Sequence, residues 1–552
     1  MKTIAAIATG MTPSGIGIVR ISGPESYEVI RRIFVPASEM KAAAESSCCG
    51  IGESSCGTTC NGSCNAPTTS SNAPTTSCNA TTTSCNVVAA TIGVDAWKPN
   101  RIHYGYIVSR ETLIDEVLVM NMKAPHSYTG EDTIEINCHG GPLMMRRILQ
   151  AVLECGADVR LAEPGEFTKR AFLNGRIDLS QAESVIDIIN ASNENSQKAA
   201  LSQLRGSVSE AVKSLRDRLL RQSAFIEAAL DDPEHYMLDE ESRESLRDET
   251  DSVLREITDL MKTYRYGRII KEGINTCILG KPNAGKSSLL NALLGEDRAI
   301  VTEIPGTTRD IITESIVAGN LTLNIMDTAG IRDTGDLVES IGVKKAYEMA
   351  KKADLCLYVI DSTAEMDEKD LEILSFIRDN GLKAVYVINK ADIGDVDLAA
   401  AAAKAATASA DAEENTSASQ AAKAACDEGN RNAAAASASA AAKAAADTVI
   451  VAVSAKTGAG IRNLLDRICR LFDDGVLSMN DQVVITSERH LGHLKDACDA
   501  LCRVLTSIEQ DMPEDFYTID LMDAYHSLGL IIGEETEDDL CDRIFSEFCM
   551  GK

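Results

Sequence analysis

The chain has 552 residues, enough for roughly three or four domains, and its 44% hydrophobic content supports buried cores. Its formal net charge of −29 argues against a protein that grips nucleic acid over its whole surface, because phosphate binding relies on clustered Lys and Arg. We find neither a cleavable N-terminal signal nor an apolar run of about 18 residues, so we expect a cytoplasmic protein without a membrane-spanning segment.

Residues 1–169 predict a mixed α/β domain. Short apolar strands alternate with a helical pattern over residues 26–34, which is typical of a sheet covered by helices. The predicted strands are Ile4–Thr9, Gly15–Ser22, Ile102–Val108, Glu116–Met122 and Thr133–Asn137.

A low-complexity insert rich in Cys, Thr and Ser interrupts this domain at about residues 42–86. A Cys-Asn-Ala-Pro-Thr-Thr-Ser unit recurs in it, and it holds seven of the chain's 17 cysteines. Cys56, Cys60 and Cys64 match no standard zinc-ligand spacing, and the repeat has no apolar face. We therefore favour a disordered insert over a metal site, and we expect the other cysteines to be mostly reduced thiols.

Long helices are predicted for residues 170–271, where Leu, Ile and Ala recur among many charges, and similar sequence resumes at residues 475–552. Between them, residues 272–474 carry apolar strands followed by nucleotide-binding motifs. An Ala-rich insert at about 395–447 has little apolar stripe to bury. We predict an all-α helical domain in two parts, into which a Ras-like P-loop α/β domain is inserted.

The strongest motif is a phosphate-binding loop, Gly280-Lys-Pro-Asn-Ala-Gly-Lys-Ser287, which follows an apolar strand and precedes helical sequence. Backbone N–H groups of such a loop wrap phosphates. Lys286 reaches the β- and γ-phosphates, and the Ser287 hydroxyl ligates Mg²⁺. The predicted nucleotide contacts in the loop are Asn283, Ala284, Gly285, Lys286, Ser287 and Ser288.

Two downstream segments have the features of GTPase switches. Thr308 is predicted to complete the Mg²⁺ shell when a γ-phosphate is present, so its loop should respond to nucleotide state. Asp327 ends an apolar strand and is predicted to hold the metal through water, while the Gly330 backbone meets the γ-phosphate. The predicted contacts in these segments are Thr302, Glu303, Ile304, Pro305, Gly306, Thr307, Thr308, Asp327, Thr328, Ala329 and Gly330.

The choice of base is predicted from Asn389-Lys-Ala-Asp392 and Ser454-Ala-Lys456. The Asp392 carboxylate can accept hydrogen bonds from both N1–H and the N2 amino group of guanine, whereas adenine offers no such pair of donors. We therefore expect GTP binding, with Asn389, Lys390 and Ala391 supporting the pocket and Ser454, Ala455 and Lys456 closing it.

Hydrolysis needs a group that orients water. Ile331 stands where Ras-like switches carry a glutamine, and it can neither donate nor accept a hydrogen bond. We favour Glu339 for this role, while Lys286 is the cation that binds the phosphates. The alternative for Glu339 is a solvated carboxylate at a helix start. Asn283 can offer a carbonyl oxygen to a monovalent cation such as K⁺.

Several further strings resemble the tRNA modification GTPase family MnmE, also called TrmE. They are Gly130-Glu-Asp132, Gly140-Gly-Pro142, Pro164-Gly-Glu-Phe-Thr168, Arg170-Ala-Phe-Leu-Asn174 and the terminal Phe545-Ser-Glu-Phe-Cys-Met-Gly-Lys552. The resemblance covers nearly all of the chain except the two inserts. It implies that residues 1–169 bind a tetrahydrofolate and dimerise.

The resemblance also implies an activity. A homodimeric, K⁺-stimulated GTPase would work with the FAD-containing protein MnmG to add an aminomethyl-type (carboxymethylaminomethyl) group to C5 of the wobble uridine of certain tRNAs. The carbon would come from a 5-formyl or methylene tetrahydrofolate, while ammonium and glycine both stay open as nitrogen donors. By the same resemblance, Ser287 and Thr308 take the Mg²⁺ role, and K⁺ falls to Asn283, Thr302, Ile304 and Thr307.

Folate binding is assigned only through this resemblance. The corresponding positions are Arg20, Glu135, Arg176 and Lys552, and Arg176 is a departure, because lysine is familiar there. By the same resemblance Cys549 matters for tRNA modification, and the nearby Lys552 can lower the pKa of its thiol. The alternative for Cys549 is a small apolar residue in the terminal tail.

A ribosome-assembly-type GTPase switch is the alternative function. Its GTPase motifs would look almost the same, but we would expect an appended RNA-binding module. This chain instead begins with the folate-like domain and ends in Phe-Cys-Met-Gly-Lys.

Overall fold

A computed structural model describes residues 1–40, 97–110, 112–231, 240–296, 313–326, 347–364, 366–393, 449–476, 482–534, 544–546, 548 and 551. The chain divides into two compact units. The first joins Met1–Ala182 with Glu535–Lys552, and the second is Glu183–Glu534. The assignment of residues 475–552 as the second part of the helical domain stays a prediction, and the terminal segment from Glu535 groups with the N-terminal unit. Both predicted inserts lie outside the described residues.

The first unit is built on a mostly antiparallel sheet. Its strands are β1 (Thr3–Ile7), β2 (Gly17–Ser22), β3 (Phe34–Pro36), β4 (Arg101–Ser109), β5 (Thr112–Met122), β6 (Thr133–Cys138) and β7 (Val159–Leu161). Its helices are α1 (Ser26–Ile33), α2 (Pro142–Glu154) and α3 (Glu166–Leu173). The strand order is β3-β4-β5-β6-β2-β1-β7, and β1 pairs with β7 in parallel.

Alternation along the strands separates the two faces of this sheet. In β2, Val19 and Ile21 are fully buried in the core that α2 covers, while Arg20 between them is only partly buried. The antiparallel register sets Arg20 opposite Glu135 on β6. Two charged side chains from distant parts of the sequence therefore meet on the sheet face away from this core.

Helices dominate the second unit. They are α4 (Leu179–Asn190, which crosses the boundary between the units), α5 (Glu194–Leu204), α6 (Ser207–Asp231), α7 (Glu240–Glu272), α8 (Lys286–Glu296), α9 (Glu368–Asp379), α10 (Ile461–Val476), α11 (Glu488–Glu509) and α12 (Glu514–Ile532). Leu215, Ile257, Leu494 and Leu528 lie in one core formed by α6, α7, α11 and α12. Helices that precede and follow the nucleotide-binding segment in the sequence thus share one core. Each helix has an apolar face at helical spacing, and packing these faces together buries them.

The nucleotide-binding segment forms a second sheet. Its strands are β8 (Ile274–Gly280), β9 (Thr313–Ala318), β10 (Leu321–Met326), β11 (Leu355–Asp361), β12 (Ala384–Asn389) and β13 (Val449–Ala452). The order is β13-β12-β11-β8-β10-β9, with parallel pairs throughout except between β10 and β9. The carboxyl ends of β8, β12 and β13 therefore meet at one edge, where α/β folds of this kind bind ligands.

The predicted fold class is confirmed: an α/β N-terminal domain, a helical domain and an inserted Ras-like P-loop domain. Within the part of the chain that the structure describes, no helix is long and apolar enough to cross a membrane.

Candidate nucleotide-binding site

The phosphate-binding loop begins where β8 ends at Gly280 and leads into α8 at Lys286. Gly285 has a φ of 93°, and a Cβ at this position would lie 2.1 Å from the side-chain nitrogen of Asn389. Asn283 also has a positive φ, 62°, in the left-handed region that asparagine tolerates better than most residues. Glycine at position 285 is therefore required both by backbone geometry and by close approach of the guanine motif.

Lys286 lies over this loop. Its Nζ donates hydrogen bonds of 2.8 Å to the Gly280 carbonyl and 2.7 Å to the Lys281 carbonyl. Ser287 and Ser288 are exposed in the first turn of α8, where unpaired backbone N–H groups and the helix dipole favour an anion. The Ser287 hydroxyl is an oxygen ligand of the kind that Mg²⁺ prefers, so the described residues fit a phosphate–Mg²⁺ site.

Asn389 joins the phosphate loop to the base-binding loops. Its side chain is 2% exposed; Nδ2 donates a 2.9 Å hydrogen bond to the Ala284 carbonyl, and Oδ1 accepts a 3.0 Å bond from the Ala455 backbone. The Ala391 backbone N–H in turn donates to the Val453 carbonyl. Three segments that are far apart in sequence are therefore held around one asparagine.

A cavity of about 560 Å³ opens beside this asparagine. Its lining residues are Gly285, Ser288, Asn291, Ala292, Asn389, Lys390, Asp392, Ile393, Ser454, Ala455 and Lys456. Asp392 is exposed in it, and Ser454 Oγ accepts a hydrogen bond from the Thr457 backbone, which holds the Ser-Ala-Lys turn. The volume suits a purine base, and Asp392 supplies an acceptor for guanine.

Lys390 is held by an ion pair. Its Nζ lies 2.6 Å from Asp361 Oδ2, and its carbonyl accepts a hydrogen bond from Ser362 Oγ. Burial tends to raise the pKa of Asp361, but the hydrogen bonds from Lys390 and Thr363 outweigh it and lower that pKa. The Asp361 carboxylate therefore stays charged and keeps the lysine beside the cavity.

The structure brings together the described part of the predicted nucleotide site. The remaining predicted residues lie outside the described residues: Thr302, Glu303, Ile304, Pro305, Gly306, Thr307, Thr308, Asp327, Thr328, Ala329, Gly330 and Glu339. Sequence reasoning missed Asn291, Ala292 and Ile393 in the cavity wall. Helical spacing from Ser288 would have found the first two, which follow it by three and four residues on the same face of α8.

The N-terminal unit gathers part of the predicted folate set. Arg20 Nε lies 2.8 Å from Glu135 Oε1, and Arg20 Nη1 donates a 3.1 Å hydrogen bond to the Gly551 carbonyl. The guanidinium carbon also lies 5.5 Å from the ring centre of Tyr128 and 5.6 Å from that of Phe167, within cation–π range. An arginine so held presents a fixed positive group next to aromatic surface.

Arg176 is exposed, and its charge affects Tyr128, which also lies beside Arg20. Burial raises the pKa of the Tyr128 hydroxyl, and the positive charges of Arg20 and Arg176 oppose that rise. Arg176 therefore lies close enough to Tyr128 for its charge to act on the pKa of that hydroxyl. Cys549 and Lys552 lie outside the described residues.

This fold and this site define a P-loop GTPase: a parallel sheet edge that carries a phosphate loop and an Asn-Lys-x-Asp base pocket. A family model for the MnmE helical domain matches residues 179–549, and one for the GTP-binding protein TrmE N-terminus matches residues 75–176. The chain belongs to the MnmE family of tRNA modification GTPases, which confirms the resemblance.

Individual relatives match over the whole length. The chain is 44% identical over 550 residues to the tRNA modification GTPase MnmE of Lachnoclostridium phytofermentans, covering 100% of this chain and 99% of that protein. It is 38% identical over 550 residues to the MnmE of Clostridioides difficile, with the same coverage. Among solved structures, Aquifex aeolicus Era bound to GDP·AlF4⁻ is 27% identical, covers 41% of this chain and 66% of that chain, and has a TM-score of 0.23.

Proposed function

We propose that this protein is a K⁺-stimulated GTPase that, with MnmG, adds an aminomethyl-type (carboxymethylaminomethyl) group to C5 of the wobble uridine of certain tRNAs. A tetrahydrofolate supplies the one-carbon unit, and the protein works as a homodimer. The observation that carries the GTPase part is Asn389, which links the phosphate loop at Ala284 to the base-closing turn at Ala455.

The described residues of the loop and the cavity support nucleotide binding. The carboxylate of Asp392 accepts from the guanine N1–H and N2 amino group, and a base without those donors leaves it unpaired at a penalty of roughly 1–3 kcal/mol. Lys286 binds the β- and γ-phosphate oxygens, and the loop N–H groups wrap the phosphates. When bound, Mg²⁺ neutralises charge on those oxygens, with Ser287 and Thr308 as its protein ligands.

For hydrolysis we assign Glu339 to orient the attacking water, directly or through a second water, because Ile331 cannot. Asn283 is exposed in the phosphate loop, so its side-chain oxygen is available to a cation. A bound K⁺ supplies the positive charge that an arginine finger supplies elsewhere, with Thr302, Ile304 and Thr307 as further ligands.

For the one-carbon chemistry we assign Arg20, Glu135, Arg176 and Lys552 to the folate. The ion pair of Arg20 with Glu135 and the nearby rings of Tyr128 and Phe167 support this assignment, because a pterin needs hydrogen-bonding partners and aromatic surface. The net charge of −29 suits a division of labour in which a basic MnmG surface supplies most of the tRNA contact.

The test is steady-state GTP hydrolysis in KCl and in NaCl at equal ionic strength, with Asn283→Ala and Glu339→Ala as companions. We expect K⁺ stimulation that Asn283→Ala weakens, and slow hydrolysis by Glu339→Ala in both salts. Equal wild-type rates in the two salts would overturn the cation mechanism. Nucleoside analysis of tRNA incubated with this protein, MnmG, GTP and methylene-tetrahydrofolate then tests the modification; an unchanged wobble uridine would refute that part.

A further inference from the structure

The side chain of Lys281, the second residue of the phosphate loop, reaches an acidic pair at the start of α9. Its Nζ lies 2.5 Å from Asp370 Oδ2 and 3.2 Å from Asp367 Oδ2. Asp370 is only 2% exposed, and Asp367 is the N-cap of α9, where the two aspartates form a capping box. The ammonium group therefore binds a buried carboxylate at a helix start rather than a solvated surface acid.

The Asp370 carboxylate is itself held on every side. Its Oδ1 accepts a 2.6 Å hydrogen bond from the Tyr358 hydroxyl, and its Oδ2 accepts a 3.0 Å bond from the Asp367 backbone. Tyr358 is fully buried on β11, directly opposite Leu279 on β8. The carboxylate is therefore fixed to the strand next to the one that carries the loop. A carboxylate buried this deeply needs a positive partner, and Lys281 supplies it.

The main chain of the same lysine holds the phosphate-binding lysine. The Lys281 carbonyl accepts 2.7 Å from Lys286 Nζ and also 3.3 Å from the Ala284 backbone N–H. The ion pair of the Lys281 side chain thus fixes the position of the Lys281 carbonyl, which orients the Lys286 ammonium. Without this ion pair, the start of the phosphate loop would be free to move.

We propose that Lys281 is a positioning residue for nucleotide binding, which acts through Lys286 by anchoring the loop to Asp370 and Tyr358. This inference rests on the proposed GTPase function and adds to it a second lysine that touches no phosphate. The hydrogen bond to Asp370 raises the pKa of Lys281, which is consistent with a permanently charged anchor. A simpler role, in which the ion pair only stabilises the domain, predicts a different pattern of variants.

The experiment is a double-variant cycle on the full chain, with the dissociation constant of a fluorescent mant-GDP as readout. We compare Lys281→Met, Lys286→Ala and the double variant with the wild-type protein. We expect Lys281→Met to weaken mant-GDP binding about tenfold, the size of one hydrogen bond to a charged group. In the Lys286→Ala background the same change should have almost no further effect, because the group that Lys281 positions is already gone.

Two further variants separate positioning from stability. Lys281→Arg keeps the charge and should restore most of the affinity, while Lys352→Met removes an exposed lysine of the same domain and should match the wild type. A tenfold loss in both backgrounds would indicate a structural role and overturn the proposal, as would wild-type affinity in Lys281→Met. If the wild-type protein bound no mant-GDP at all, the proposed function itself would fail.

Discussion

The side-chain nitrogen of Asn389 lies 2.9 Å from the carbonyl oxygen of Ala284, so the guanine motif and the phosphate loop are joined by a buried hydrogen bond. The same side chain accepts from the Ala455 backbone. Asn389→Ala would leave both backbone groups without this partner. We expect GTP affinity to fall by at least about tenfold and domain stability by about 1–3 kcal/mol.

The measurements are mant-GDP titration and urea unfolding of the full chain. Asn380→Ala is the matched control, because Asn380 is exposed at the end of α9 and its side chain donates a local hydrogen bond to the Phe376 carbonyl. Unchanged nucleotide affinity in Asn389→Ala would contradict the assigned role of this asparagine.

The second prediction concerns the choice of base. In Asp392→Asn one carboxylate acceptor becomes an amide donor, which clashes with the guanine N2 amino group but suits the oxygen that xanthine carries at that position. We expect GTP hydrolysis to weaken and XTP hydrolysis to rise, so that the ratio of kcat/KM values changes by roughly a hundredfold or more. Competition between the two nucleotides measures this ratio, and an unchanged preference for GTP would remove Asp392 from base recognition.

Much of the nucleotide site was predictable because its chemistry demands particular residue types at strand ends. Lys286, Asn389 and Asp392 each carry a group that no other residue replaces in that pattern. By contrast, the bonds of Asn389 to Ala284 and Ala455 involve backbone atoms, which leave no mark on residue identity.

The anchor of Lys281 was also hidden from sequence. Its partner Asp370, and the Tyr358 hydroxyl that holds Asp370, come close only because β8 and β11 pair in parallel, which is a tertiary fact. The hydrogen bond from Arg20 to the Gly551 carbonyl was missed for the same reason, because it depends on the terminal segment packing with the N-terminal unit.

Arg20 carries the third prediction. Arg20→Gln removes the ion pair with Glu135 and the charged hydrogen bond to the Gly551 carbonyl. We expect 5-formyl-tetrahydrofolate binding, measured by calorimetry, to weaken about tenfold or more. Arg20→Lys should recover only part of this, because one ammonium cannot reproduce the fork geometry of the guanidinium. Equal folate affinity in Arg20→Gln and wild type would contradict the assignment.

Cys549 tests whether GTP hydrolysis and tRNA modification can be separated. Cys549→Ser replaces a thiol by a poorer nucleophile at nearly constant size. We expect GTP turnover to stay within about twofold of wild type while the yield of modified wobble uridine falls by about tenfold or more. Parallel loss of both activities would argue for a structural role of this cysteine instead.

The last prediction concerns a buried charge cluster where α4 meets α11. Glu183 Oε1 lies 2.8 Å from Arg489 Nε, and its Oε2 lies 3.0 Å from His490 Nε2, while Asp187 on α4 pairs with Lys271 on α7 at 2.9 Å. Burial alone would raise the pKa of Glu183, but the adjacent His490 and Arg489 outweigh it and lower that pKa to about 2. The folded protein therefore favours the ionised carboxylate.

Because the folded pKa lies below the ordinary value of 4.5, this stabilisation is fully present above pH 4.5 and is lost as the pH falls toward about 2. Glu183→Gln should lower the unfolding free energy on the order of 3 kcal/mol near neutral pH, and the gap to wild type should shrink across that acid window. Urea unfolding followed by circular dichroism measures it. Glu194→Gln, from an exposed pair with Lys198, should show no measurable loss. A gap that stayed constant with pH would show that Glu183 stabilises the helices by packing rather than by charge.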